Sequence, residues 1–305
     1  METNKNIQIL MSTYNGEKYL REQLNSFIAQ DCFSQVKVLI RDDGSTDGTF
    51  EILREYADKY NFEIIKGQNI GVNASMCELF SLCDLSCQYF ALSDQDDVWL
   101  PDKLGKAVKE LANYNKQCAM FASASIITDS CLKTIGVSMR AKKGSSYYNA
   151  VVQNICPGHT QVFSKPLMIE LRDTDPSEIS VIDHWIYLLA SSLGKIIFSE
   201  KPTVLHRQHG NNAVGYNINP IKKTISRIKR VHFKEADRIT IQLNYFLNRF
   251  QGRIPAEYEN EAIRFLNSRT LFQRIKYSLT TKLFRQSFID NILFRILFVL
   301  GKYHL

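Results

Sequence analysis

The sequence predicts an α/β fold, a mostly parallel sheet with helices on both faces, followed by a helical region. Three observations predict it. Short apolar runs alternate with helically spaced stretches over the first hundred or so residues. Three of those runs open directly into polar loops. From Pro220 onward the pattern changes to helical spacing alone, and the charge turns strongly basic.

Residues 7–11 (IQILM) read as a buried strand, and Ser12-Thr13-Tyr14-Asn15-Gly16 as the loop after it. Leu20, Leu24, Phe27 and Ile28 give residues 19–29 a helical face. Residues 36–40 form a second strand, which runs into the loop RDDGSTDGT at 41–49. A helix over 50–60, a strand over 62–65, a helix over 71–83 and a strand over 89–93 follow. This alternation implies a parallel sheet covered on both faces, whose ligands bind beyond the carboxyl ends of the strands. After Leu100-Pro101 comes a helix through Tyr114, with a strand near residues 120–122. A glycine-containing segment lies at 156–159, and an apolar helix over 181–193 has a capping-rich lead-in at 173–178. Beyond Pro220, amphipathic pieces are expected at 221–233, 239–250 and 258–278, with an apolar piece at 288–300. The expected division is an α/β domain over residues 1–215 and a basic amphipathic helical region over 216–305.

Charge supports that division. Residues 217–305 carry 17 basic and 6 acidic side chains, against 21 and 25 in the remainder. The partner of the tail should therefore be acidic: a membrane surface, a phosphate-bearing lipid or a nucleic acid. The start lacks the charged region, apolar run and cleavage site of a signal peptide. No stretch reaches the roughly eighteen uninterrupted apolar residues of a spanning helix. Seven cysteines without paired metal-type spacing fit free thiols in a reducing cytoplasm.

The run Leu92-Ser93-Asp94-Gln95-Asp96-Asp97-Val98-Trp99 carries the strongest chemical signal. Three carboxylates in four positions repel one another unless a cation joins them, and hard oxygen ligands select Mg²⁺ or Mn²⁺. A solvated acidic turn that caps the next helix is the plain alternative. In the loop 41–49, a carboxylate can accept the N3–H of uracil or thymine while small residues admit a planar base; an ordinary loop of Asx-turns is the alternative. Tyr14 can bracket a base by stacking.

Together, ILMSTYNGEKYL at 9–20, RDDGSTDGT at 41–49 and LSDQDDVWLPDKL at 92–104 resemble glycosyltransferase family 2, inverting enzymes of the GT-A fold. The resemblance covers roughly residues 7–215. SDQDDVW, the later DHW…LLASSLGK and the RQH run resemble bacterial rhamnosyltransferases of cell-wall or capsular polysaccharide synthesis.

The resemblance implies a nucleoside diphosphate sugar donor, dTDP- or UDP-linked, and Mn²⁺ or Mg²⁺. Thr13, Tyr14, Asn15, Asp42, Asp43, Asp94, Gln95 and Arg207 would line the donor, with Asp43 at the pyrimidine ring. Asp94, Asp96 and His209 would hold the metal, with Asp97 in a secondary place. Asp183 matches the position of the family's catalytic base. Ile182 stands before it where the family has an acid or His, and His184 is the reserve base. Arg207 can fork onto phosphate oxygens. Trp99, Gly158, His159 and His184 are acceptor-side candidates, although Trp99 equally suits a core.

The implied reaction is transfer of a sugar, L-rhamnose from dTDP-rhamnose as the first assignment, to a lipid-linked glycan. Another hexose or an N-acetylhexosamine from a UDP-sugar is the alternative. The expected location is cytoplasmic, at the inner face of the cell membrane, bound through the basic C-terminal helices; the same region suits a homodimer contact. A nucleotidyltransferase would need a Gly-rich basic loop near the first strand, which Ser12–Gly16 lacks. A nucleic-acid-binding role would leave Asp94, Asp96 and Asp97 unexplained.

Overall fold

The computed structural model describes residues 6–138, 141–209 and 235–303. The chain runs β1 (Ile7–Thr13), α1 (Glu17–Ile28), β2 (Val36–Asp42), α2 (Thr49–Tyr60), β3 (Glu63–Lys66), α3 (Val72–Leu82), β4 (Tyr89–Ser93), β5 (Val98–Trp99) and α4 (Lys103–Leu111). It continues with β6 (Ala119–Ser123), β7 (Ile126–Thr128), β8 (Thr134–Val137), α5 (Tyr147–Ala150), β9 (Val162–Ser164), α6 (Lys165–Leu171), α7 (Ile182–Leu193), β10 (Lys195–Ser199) and β11 (Val204–Arg207). The last helices are α8 (Glu235–Phe250), α9 (Ala256–Asn267), α10 (Leu271–Thr280) and α11 (Phe288–Val299).

Two compact units divide the chain. The first comprises Met1–Arg140, Cys156–Pro176 and Gly194–Asn212; the second comprises Ala141–Ile155, Ser177–Leu193 and Ala213–Leu305. The helical unit thus takes in residues 141–155 and 177–193, which sequence patterning places in the front domain.

The first unit holds a seven-stranded sheet in the order β10-β6-β9-β4-β1-β2-β3. β1 lies inside the sheet, parallel to both β2 and β4, with Ile7 opposite Val36 and Tyr89. Ile7, Ile9, Leu10 and Met11 are all buried, as expected of a strand covered on both faces. Leu20, Leu24 and Phe27 of α1, Ile52 and Leu53 of α2, and Leu104 and Leu111 of α4 join the core around it. Each such side chain contributes about 1.5–3 kcal/mol on full burial. β9 is antiparallel to both β4 and β6, the reversal typical of a mixed sheet.

Four short strands build a second sheet, β5-β11-β7-β8, that the sequence pattern does not announce. Strands of two to four residues are too short to show a two-residue period. Their placement decides the chemistry. β5 follows the acidic loop directly, and β11 pairs antiparallel to it, with Val204 opposite Trp99. Just before β10, Gly194 lies so close to Cys118 that a Cβ would sit 1.7 Å from its carbonyl oxygen.

In the helical unit, Trp185 packs on Tyr245, Phe246 and Phe250, and Tyr147 stacks on Tyr258 at 4.2 Å. Phe265, Tyr277, Phe294, Phe298 and Tyr303 form a further aromatic group. The stretch 258–278, expected as one piece, is two helices. Thr270 caps the second through a reciprocal pair of bonds with Gln273, which starts a new helix where the old one would have continued. The expected helix at 221–233 and its cations Lys222, Lys223, Arg227, Lys229 and Arg230 lie outside the described residues. Among the described residues, no helix is long and apolar enough to cross a membrane.

Candidate active site

The loops after β1, β2 and β4 are stitched together at one rim of the sheet. Gln95 grips the first loop from both sides: Tyr14 N–H donates to its Oε1 at 2.8 Å, and its Nε2 donates to the Tyr14 carbonyl at 3.0 Å. Gly16 admits this contact, since a Cβ there would lie 2.6 Å from Gln95 Oε1. Asn15 joins the first loop to the second. Its N–H donates to Ser45 Oγ at 2.9 Å, and its Oδ1 accepts from Thr46 N–H at 2.8 Å. Asn15 adopts φ 49°, which its short polar side chain tolerates. Tyr14 remains exposed.

Asp42 and Asp43 are both buried. Asp42 shapes its own turn, accepting from the Ser45 hydroxyl at 2.5 Å and the Ser45 amide at 3.2 Å, with Thr13 Oγ1 at 3.3 Å. Asp43 pairs with Arg41 at 2.5 Å and accepts the amides of Ile70 and Gly71 at 2.9 and 3.0 Å. Those bonds take three of its roughly four acceptor positions. Arg41 also pairs with Glu78 at 2.6 Å, so the second motif is anchored to α3.

The acidic loop holds three carboxylates in three environments. Asp94 is exposed, 55% of its side chain reaching solvent. Asp96 is half-buried and meets His209 Nε2 at 2.7 Å. Burial first, then the charges of Asp97 and Asp94, push the Asp96 pKa up, against the pull of His209. Asp97 is fully buried. Burial alone would raise its pKa, but His159, His206 and the Arg207 amide outweigh that and hold it down. The carboxylate accepts from His206 Nδ1 at 3.0 Å and from the Arg207 N–H at 3.0 Å.

His159, an acceptor-side candidate, faces the aspartates, its Nδ1 3.4 Å from Asp94 Oδ2 and 3.7 Å from Asp97 Oδ2. The turn Gly158–Thr160 delivers it there, and Ser125 Oγ lies 2.9 Å from its Nε2. Trp99 is 2% exposed, packs on Phe27 at 4.7 Å and belongs to the core, the alternative its sequence context also suited. The β5–β11 pairing draws it inward.

Arg207 is 1% exposed, and the protein occupies its fork. Nε donates to the Asp96 carbonyl at 2.9 Å, Nη1 to the Ser130 carbonyl at 2.7 Å and Nη2 to Glu22 at 2.5 Å. Its guanidinium lies 4.4 Å from the Tyr19 ring, which also meets the His209 ring at 4.9 Å. The side chain expected on phosphate holds the backbone of the acidic loop.

Sequence reasoning passed over Lys103. It reads as an ordinary polar position at a helix start, yet it is fully buried. Its amine donates to the His159 carbonyl at 2.9 Å and lies 3.8 Å over the Trp99 ring. Burial lowers its pKa to about 7, with Asp97 and Asp94 opposing. Glu22 and Tyr19 were also missed; no local motif marks them.

Two donor groups can be weighed for a metal. Among the described residues, Asp97, His159 and His206 have ligand atoms within 4.8 Å of one another. The two imidazoles are stacked, 4.3 Å apart and 6° from parallel. A cation between parallel rings would lie outside both ring planes, away from the nitrogen lone pairs, so this trio suits charge balance of buried Asp97. Of the expected ligands Asp94, Asp96 and His209, the last two meet at 2.7 Å, and the raised pKa of Asp96 marks a charge that a cation would relieve.

Asp183 and His184 lie in the helical unit, in the first turn of α7. Asp183 is half-buried. His184 is buried, and its Nε2 lies 2.6 Å from the Ala150 carbonyl.

Comparison with known proteins agrees with this architecture. The chain is 32% identical over 222 residues to a dTDP-rhamnosyl transferase, RfbG, of Shigella flexneri, covering 68% of this chain and 74% of that protein. Its fold is that of GT-A glycosyltransferases. It resembles S. aureus TarS 1–349 with a TM-score of 0.60 and 17% identity, covering 98% of this chain and 81% of that one. It also resembles a Pyrobaculum calidifontis mannosyltransferase in complex with GDP-Man and Mn²⁺, with a TM-score of 0.55, 17% identity and the same coverage. The sequence profile of Glycosyl transferase family 2 matches residues 8–170, and the chain belongs to that family.

Proposed function

We propose that this protein is an inverting, divalent-metal-dependent hexosyltransferase that moves L-rhamnose from dTDP-rhamnose to a hydroxyl of a growing, lipid-linked surface polysaccharide. The carrying observation is the joining of the three motif loops at one rim, through Gln95 with Tyr14 and Asn15 with Ser45 and Thr46. Likeness to the Shigella dTDP-rhamnosyl transferase supports the donor.

In this reading the exposed Tyr14 stacks on the pyrimidine, and the remaining acceptor position of Asp43 takes its N3–H. Thr13, Asn15, Asp42 and Gln95 hold the loops that form the pocket. Asp94, Asp96 and His209 would hold a divalent ion, with Mn²⁺ favoured by the imidazole. Bound there, it would supply positive charge toward the departing diphosphate. Arg207 acts indirectly, keeping the Asp96 carbonyl and the Asp97 contacts in register.

Asp183 is the base. It takes the proton of the acceptor hydroxyl as that oxygen attacks the anomeric carbon. The bond from this carbon to the diphosphate oxygen breaks on the opposite face, which inverts the configuration. His184 is less suited, because its buried ring is already engaged at Ala150. Gly158 supplies the turn that carries His159 toward the acids.

Release of nucleoside diphosphate from a panel of dTDP- and UDP-sugars, with a lipid-linked acceptor, tests the assignment. Turnover restricted to UDP-sugars would replace rhamnose by another hexose or an N-acetylhexosamine, an alternative favoured by likeness to TarS in complex with UDP-GlcNAc. Asp183→Asn should keep nucleotide affinity near normal and lose nearly all transfer; retained turnover would remove Asp183 from this role.

A further inference from the structure

Within the helical unit, α10 and α11 pack through Tyr277 and Phe298, 4.8 Å apart, and the Arg295 guanidinium donates to the Ser278 carbonyl between them. Each helix also carries an exposed apolar arc. On α10 the arc is Leu271, Phe272, Ile275 and Leu279, spanning about 100° at 3.6 residues per turn. Phe272 is 77% exposed and Leu279 79%. On α11 the exposed residues are Phe288, Ile289, Ile292 and Ile296, all apolar, and Leu300 continues the row just beyond. A water-facing helix surface is ordinarily polar, and contiguous apolar patches of this kind mark interaction sites.

The charges around these arcs identify the partner. Residues 268–303 contain seven basic side chains and one acidic one. The acid, Asp290, is buried, whereas Arg269, Lys276 and Lys302 are exposed beside the arcs. A symmetric contact with a second copy would bring these cations against themselves. An anionic lipid surface offers both apolar chains and opposite charge. At twelve residues, α11 is about 18 Å long, too short to span a bilayer but suited to lying in the headgroup layer.

We propose that the α10–α11 face is a docking surface for anionic lipid bilayers: Phe272, Leu279, Phe288, Ile292 and Ile296 enter the acyl boundary, and Arg269, Lys276 and Lys302 meet lipid phosphates.

Flotation of the full chain with vesicles tests this, and no sugar donor is present, so the outcome is separate from the transferase reading. The protein should float with vesicles of phosphatidylcholine and phosphatidylglycerol in equal parts, and not with phosphatidylcholine alone. The triple variant Phe288→Glu, Ile292→Glu, Ile296→Glu should bind at least about tenfold more weakly. The double variant Arg269→Glu, Lys276→Glu should lose about twentyfold or more at low salt. Emission from Leu279→Trp and Phe288→Trp should shift to the blue on adding the mixed vesicles, a readout that does not rely on disrupting the face. Equal binding to neutral vesicles, undiminished binding by the triple variant, or an unmoved emission would each overturn the proposal. So would a concentration-dependent dimer in sedimentation that the triple variant abolishes while the unmodified chain ignores vesicles.

Discussion

Asp96 and Asp97 are adjacent in sequence, yet their surroundings give them different tasks. Asp97 is buried and satisfied by His206 and the Arg207 amide, so it organises the protein. Asp96 keeps a half-buried charge disfavoured by its neighbours, so it has most to gain from a cation. Asp96→Ala should weaken metal-dependent nucleotide binding by at least about tenfold in calorimetry, with little effect on binding measured without metal. Arg207→Lys should also weaken it, because one ammonium cannot serve three acceptors spread around a planar fork. Lys103 offers a pH test. Its Cε resonance should titrate near 7. Between that value and the ordinary 10.5 the unfolded chain binds the extra proton, so the contribution of this group to stability rises with pH across that window. A titration near 10.5 would refute its burial. The acid cluster was legible because three neighbouring carboxylates are conspicuous in any sequence. His159 and His206 were not legible as partners of Asp97, because separate chain segments bring them together. Trp99 was ambiguous, since its fate depends on Phe27 and on a strand pairing that no local pattern reveals.

Elements were readable in proportion to their length. β1, β2 and β4 appear as apolar runs ending in polar loops, and α1, α2 and α7 show helical spacing. β5, β7, β8 and β11 carry too few residues for a period, although β5 and β11 fix the far side of the acidic loop. Thr270 with Gln273 is a recognisable capping pair, but the apolar spacing on either side conceals the break. Gly194 gives this scale its own test. A methyl group there meets the Cys118 carbonyl where β10 begins its pairing with β6. Gly194→Ala should therefore destabilise the chain by about 2–4 kcal/mol in denaturant unfolding.

At the scale of the whole molecule, composition already separated a near-neutral front from a basic tail, and the structure adds where apolar side chains reach solvent. The interleaving of the two units was not legible, because contiguous sequence gives no sign that residues 177–193 join the helical unit. If the α10–α11 face holds the protein against acidic lipid, raising salt should depress transfer to a bilayer-embedded acceptor while leaving transfer to a short water-soluble acceptor nearly unchanged, because screening acts on exposed charge. Parallel rate measurements across a salt series would show whether the two reactions diverge.

The grip of Gln95 on Tyr14 uses main-chain atoms alone on the tyrosine side. Substituting the side chain at position 14 therefore leaves the crossbar between the first loop and the acids standing. A scaffold of this kind can change what it presents to a nucleotide without redrawing the frame that presents it, which makes position 14 a natural place to retune donor choice by mutation.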